Sequence, residues 1–307
     1  MVKLKRILKI TLIFVLVYVI GGLTIVDIGY TILGFNNKVE YSSIKSASEY
    51  GLISEEKDLV TSDNVKIHIY EVEAYAPRGV IIMLTGITGP SVTHFYGMSE
   101  LFFINNYSSI LVDVRGHGKS DGDSVSFGIE ETRDVEAVVN YIKSRDVYDT
   151  LPVIVLGTSM GGAIAVNSAS LIDGIDGLIS IASFSSWTDA NVDMVESRGF
   201  PRIVGDFLRP AINLYGYLRF GQDYFRYAPV DNIKNIGDKP VLFMQAIGDP
   251  EVSVKSFNRL YKAYGKETDV WIRQNNHHFV VNSGINDPMK DKEFCQKIMD
   301  WLEANFT

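Results

Sequence analysis

Five uninterrupted apolar runs limit what this chain can fold into more than any other feature. They are GVIIMLT (79–85), SSILVDV (108–114), LPVIVLG (151–157), GLISIAS (177–183) and KPVLFMQA (239–246). A short run rich in Val and Ile, with no polar alternation, suits a strand covered on both faces. Between and after these runs lie helix-like patterns at 130–144, 160–172, 252–265 and 288–305, with a shorter strand, DVWIRQ (269–274), before the last of them. Buried strands alternating with helices give βαβ units joined by right-handed crossovers. The expected class is therefore α/β, with a mostly parallel central sheet and flanking helices. One earlier stretch, VKIHIYEVEA (65–74), alternates with period two and reads as a solvated antiparallel strand.

At 307 residues the chain has room for one large α/β domain or two ordinary ones, and 46% hydrophobic residues is ample for a core. The net charge is −8, and four of the basic residues (Lys3, Lys5, Arg6 and Lys9) crowd the extreme N-terminus. The rest of the chain is thus more acidic than the total, which argues against a nucleic-acid partner. A single cysteine, Cys295, excludes an intrachain disulfide and a cysteine zinc cluster, and in a helical stretch it reads as a packing residue. Carboxylates do not cluster at metal-ligand spacing, so neither a metal nor another cofactor is expected.

The basic tip leads into an uncharged run from Ile10 to Val26. As a helix that run is roughly 26 Å long, close to the thickness of the bilayer core. Lys9 can reach toward the headgroups, so Ile7 and Leu8 extend the apolar stripe. A cleaved signal peptide is the rival reading, but its small-residue cleavage site is missing. The expectation is an uncleaved signal anchor in 1–29, crossing the cell membrane once. The positive-inside rule then places the N-terminus in the cytoplasm and the remainder outside. Residues 30–55 are polar and mixed, and read as a linker or lead-in.

The strand–helix rhythm breaks at 186–238, which separates two buried strands by far more than an ordinary crossover. Its aromatic residues include Phe200, Phe207, Tyr215, Phe220, Tyr224 and Tyr227. Two readings stand: ordinary helices packed on the domain, or a short helical cap shaping an apolar pocket.

The chemistry-bearing feature is Gly157-Thr158-Ser159-Met160-Gly161, set between a buried strand and a small-residue helix. The G-x-S-x-G pattern places a serine on a sharp strand-to-helix turn, and bulk two residues to either side would clash there. A turn whose serine merely caps the next helix is the plainer alternative. A nucleophilic serine needs a base, and the base needs an orienting acid. Asp249 comes after the fifth buried run, at the sheet edge where ligands gather, and His277 and His278 come after the last strand. Asp189, after the fourth run, is a second possible acid. Neighbouring side chains in an extended loop point apart, so only one of the two histidines can be the base. Backbone donors for an oxyanion would be the N–H groups of Met160, directly after the serine, and Ile87, in the TGITGPS loop after the first run.

These motifs resemble the α/β-hydrolase superfamily, and most of all its membrane-anchored or secreted serine esterase and peptidase-like members. The resemblance covers roughly residues 55–305. It rests on the elbow GTSMGG, on DVRGHGKSDG (113–122), which matches the loop pattern D-x-R-G-x-G-x-S, and on FGIEETRDVEAVVNYI (127–142). It also rests on PVLFMQAIGDPEV, which carries the acid, and on VWIRQNNHH, whose spacing from Trp271 puts the family's base on His278. One departure is Thr85-Gly86, where the family usually has His-Gly, and it bears on the position of Ile87. The GHGKS echo of a phosphate-binding loop fails, because Asp113 occupies the position that needs glycine.

The resemblance implies an α/β-hydrolase domain over 56–307 with the cap insertion at about 186–238. It implies a triad of Ser159, Asp249 and His278, an oxyanion hole at Met160 and Ile87, and catalysis without a cofactor. The expected activity is hydrolysis of a small-molecule or lipid acyl ester through an acyl-enzyme, as in a carboxylesterase or lipase. Aminopeptidase-like amide hydrolysis, and a non-catalytic surface protein binding a lipid or peptide, are the alternatives.

Overall fold

The computed structural model describes residues 2–41, 43–87 and 91–306. The chain starts with a long helix, α1 (Val2–Ile32). An eight-stranded sheet comes next: β1 (Glu55–Val60), β2 (Lys66–Val72), β3 (Val80–Leu84), β4 (Ser108–Asp113), β5 (Val153–Thr158), β6 (Gly177–Ile181), β7 (Val241–Ala246) and β8 (Asp269–Arg273). Their spatial order is β1-β2-β4-β3-β5-β6-β7-β8. The first two pairings, β1 with β2 and β2 with β4, are antiparallel, and the remainder are parallel. The long helices of the layers are α2 (Tyr96–Ile104), α3 (Thr132–Lys143) and α4 (Met160–Leu171). Between β6 and β7 come α5 (Trp187–Ser197), α6 (Arg202–Phe220), and two single turns, α7 (Asp223–Arg226) and α8 (Pro229–Asn232). The chain ends with α9 (Val254–Tyr264) and α10 (Lys292–Asn305).

Alternation inside the apolar runs explains why they lack polar residues. In β5, Val153 and Val155 join one core layer, with α3, α4 and α9, while Ile154 and Leu156 join the other, with α2 and α10. Successive side chains of a strand point to opposite faces, so a strand covered on both must be apolar throughout. The two edges differ from the centre. β1 (EEKDLV) is exposed along most of its length, as its charged sequence requires of an edge strand. β2, expected to be solvated, is buried from Ile67 onward. Its polar position Glu71 is satisfied inside, accepting from Tyr141, Tyr148 and Lys57, so the alternation that signals a wet face here marks a buried, hydrogen-bonded carboxylate.

The segment expected as a lead-in at 30–55 is packed onto the domain. Tyr30 and Phe35 are core residues, Val39 bridges to His117, and Ser46 caps a short 3-10 turn at Ala47–Tyr50. Among the described residues one helix, Lys5–Ile32, is long and apolar enough to cross a membrane, with a mean hydropathy of 2.3.

The strand order reverses at β3, which lies between β4 and β5. Loops leaving adjacent strands at such a switch point diverge and open a crevice beyond the carboxyl ends. The loop after β3 and the turn after β5 flank that crevice.

Candidate active site

Ser159 sits between β5 and α4 with φ 57° and ψ −119°, a conformation an L-residue with a side chain seldom adopts. The surroundings hold it there. A Cβ on Gly157 would lie 2.0 Å from the Gly161 carbonyl oxygen, and one on Gly161 would lie 2.2 Å from that of Leu84. The turn therefore closes only with hydrogen at both positions, and it brings Ser159 against the end of β3. Gly86 belongs to the same arrangement: a Cβ there would stand 3.2 Å from Ser159 Cβ. Although Ser159 is the residue before α4, its side chain makes no cap hydrogen bond, so the capping alternative does not describe it.

Asp249 and His278 meet beyond β7 and β8. His278 Nδ1 lies 3.0 and 2.9 Å from the two carboxylate oxygens of Asp249. The carboxylate is fixed in turn: its Oδ1 accepts from the N–H groups of Glu251 and Val252, and Gln245 Nε2 donates to Oδ2 at 3.3 Å. His278 is buried, and its Nε2 has no hydrogen-bond partner. Glu251 Oε2 stands 3.6 Å from Nε2, beyond hydrogen-bond reach, and a buried ring nitrogen without a hydrogen bond suits a group that acts on a substrate or nucleophile. His277 is exposed. Asp189 lies elsewhere, held at 2.8 Å by Arg209 Nη1, and burial notwithstanding, that guanidinium and Arg259 keep its carboxyl below the usual carboxylate range.

Of the two expected oxyanion donors, Met160 opens α4, where the first N–H groups have no acceptor within the helix. Ile87 lies at the described end of its loop; Thr88, Gly89 and Pro90 of TGITGPS lie outside the described residues. Ile87 stands against a histidine that the sequence reading did not assign to the site. Buried His117, in the GHG turn after β4, places Nε2 at 2.8 Å from the Ile87 carbonyl oxygen. Burial pushes its pKa down. Its Nδ1 stands 3.1 Å from the Arg115 carbonyl oxygen, so both ring nitrogens face backbone acceptors, and a neutral imidazole, with one N–H, donates to one of them at a time.

Ser159 opens into a cavity of about 380 Å³ walled by Phe35, Ile87, Phe184, Trp187, Met194 and Val252, with Arg198 and Glu251 among its polar lining. Leu33 and Phe35 come from the chain just past α1, within the segment expected as a lead-in. Trp187 stacks on Phe127 at 4.1 Å and donates its Nε1–H to Tyr30 of α1. Among the described residues no group of three or more His, Cys, Asp or Glu is placed to hold a metal ion.

Comparison with known proteins bears on the fold. A family model described as serine aminopeptidase, S33, matches residues 75–224, which include the elbow and end before Asp249. The chain is 28% identical over 211 residues to the uncharacterized protein YqkD of Bacillus subtilis, covering 68% of each. It is 24% identical over 265 residues to the alpha/beta hydrolase domain-containing protein WAV2 of Arabidopsis thaliana, covering 82% of each. Among solved structures, an esterase of Pyrococcus furiosus superposes with a TM-score of 0.71 at 18% identity, over 89% of this chain and 99% of that one. The fold is that of the α/β hydrolases.

Proposed function

We propose that this chain, an α/β hydrolase by fold, is a serine hydrolase that cleaves acyl esters. The observation that carries the reading is that the strained Ser159 turn after β5 and a His278–Asp249 pair past β7 and β8 both lie beyond the carboxyl ends of the parallel strands, with His278 Nε2 free of any hydrogen bond. His278 Nε2 takes the proton as Ser159 Oγ attacks the acyl carbonyl, and returns it to the departing alcohol. Asp249 orients the ring through Nδ1 and stabilises the imidazolium. The Met160 and Ile87 N–H groups receive the oxyanion, and water releases the acid from the acyl-enzyme. The apolar cavity wall favours a medium or long acyl chain. Amide hydrolysis is the second reading, favoured by the description of the matching family model. We place α1 across the cell membrane, with the N-terminus in the cytoplasm and the domain of 56–307, with its cap at 186–238, on the other side.

The test is labelling with a fluorophosphonate probe, comparing wild type with Ser159→Ala, His278→Ala and His277→Ala after each is shown to be folded. Labelling absent in the first two and retained in His277→Ala is expected, with ester turnover in Ser159→Ala down by roughly 10⁴-fold or more. No labelling of folded wild type would leave a binding protein as the better account.

A further inference from the structure

The packing of α1 against the cap sets a depth that neither element reveals alone. Tyr18 of α1 meets Phe207 of α6, ring to ring at 4.8 Å, and donates its hydroxyl proton to the Phe207 carbonyl. One turn later Gly22 lies against Ala211, so close that a Cβ on the glycine would be 2.7 Å from Ala211 Cβ. Further on, Tyr215 donates to Asp27 at 2.8 Å. The two helices therefore run side by side in the same direction from Tyr18 onward. From Lys9 to Tyr18 a helix rises only about 14 Å, whereas the hydrocarbon core is about 30 Å thick. If α1 crosses the bilayer, the first half of α6 lies at hydrocarbon depth.

The surface there is built for that depth. Phe200, Ile203 and Phe207 are 57%, 74% and 63% exposed, at the tip where α5 turns into α6. The charges of the first half of α6 are paired: Arg202 with Asp193 and Glu196 and Arg209 with Asp189, all on α5, while the half-exposed Asp206 stands between the two arginines. Met194 and Arg198, beside the same tip, line the cavity that ends at Ser159, and Leu33 closes it from the α1 side.

We propose that the α5–α6 tip is immersed in the leaflet facing the catalytic domain, and that the cavity takes its acyl substrate, a membrane-resident lipid ester, directly from the bilayer. This rests on the hydrolase reading for the substrate, and on the anchor reading for the depth.

The test uses full-length protein with Cys295→Ser in phosphatidylcholine vesicles, bearing one fluorophore at Ile203→Cys, Leu12→Cys or Tyr75→Cys. Tyr75, 94% exposed, lies just past β2 at the opposite sheet edge. Nitroxides on the lipid acyl chains should quench the Ile203 and Leu12 probes alike and spare Tyr75. An Ile203 probe quenched only by aqueous iodide overturns the proposal; if Leu12 behaves the same way, the anchor reading falls with it. In a second arm, the Phe200→Ser, Ile203→Ser double variant should hydrolyse p-nitrophenyl acetate at the wild-type rate and lose at least about tenfold on p-nitrophenyl palmitate held in vesicles. Equal rates on both esters relative to wild type, or equal losses, overturn uptake from the bilayer. A folded wild type inert toward both esters sinks the hydrolase reading and the substrate assignment, while the quenching still decides the depth.

Discussion

Replacing Ser159 by glycine should raise the stability of this protein, and replacing it by alanine should not. The backbone at Ser159, φ 57° and ψ −119°, lies outside the small left-handed region open to residues with a Cβ. Holding a residue in such a conformation costs about 1–3 kcal/mol. Alanine keeps the Cβ and so keeps the strain. Glycine removes it, at an entropic cost in the unfolded chain of roughly 0.5–1 kcal/mol. Little else is lost, since the Ser159 hydroxyl makes no hydrogen bond to another described residue. The net gain of glycine over alanine is about 1 kcal/mol, which for a domain of this size raises the melting temperature by roughly 2–4 °C. Thermal unfolding of the two variants in the same detergent, at one scan rate, measures the difference directly. Both variants should be inactive, so activity does not enter the comparison. A glycine variant that melts at or below the alanine variant would show that the backbone at Ser159 is relaxed and refute the strain argument.

Four further outcomes rest on the same structure. Gly161→Ala drives a Cβ to within 2.2 Å of the Leu84 carbonyl and 2.6 Å of that of Thr85, so it should cost more than about 3 kcal/mol and abolish folded expression. Asp113 is 1% exposed, and burial pushes its carboxyl up to about 6. The native state then binds the proton more tightly than the unfolded state, so stability falls as pH rises from about 4 to 6. Asp113→Asn should accordingly match wild type in urea unfolding at pH 4 and exceed it at pH 8 by on the order of 1–3 kcal/mol. His117→Phe removes the ring nitrogen that stands 2.8 Å from the Ile87 carbonyl, and should lower kcat about tenfold while KM for the same soluble ester moves less than about twofold. Asp249→Asn should reduce kcat by about 10³–10⁴-fold with an unchanged melting temperature, read from ester turnover and a thermal scan.

The sequence by itself determined the strand runs, because a strand buried on both faces admits only apolar residues, and that requirement is written locally in β3, β5, β6 and β7. It placed Ser159 between glycines for an equally local reason: the turn excludes Cβ atoms whose contacts arise within a few residues, as at Gly157. The edge strand β1 escaped it, since it carries no apolar alternation, and β2, legible as a strand, concealed its burial behind Glu71, whose hydrogen-bond partners lie on α3 and in the turn after it. The tertiary structure alone decided what depends on distant segments meeting. It brought His278, which the spacing from Trp271 had already singled out, against Asp249, put His117 beside Ile87, and carried Leu33 and Phe35 from the end of α1 into the cavity wall. It also laid α6 along α1, so that one helix fixes the depth of the other. Local sterics are legible in sequence because a residue and its constraint are neighbours in the chain; these contacts join residues far apart along it, and only the closed fold brings them together.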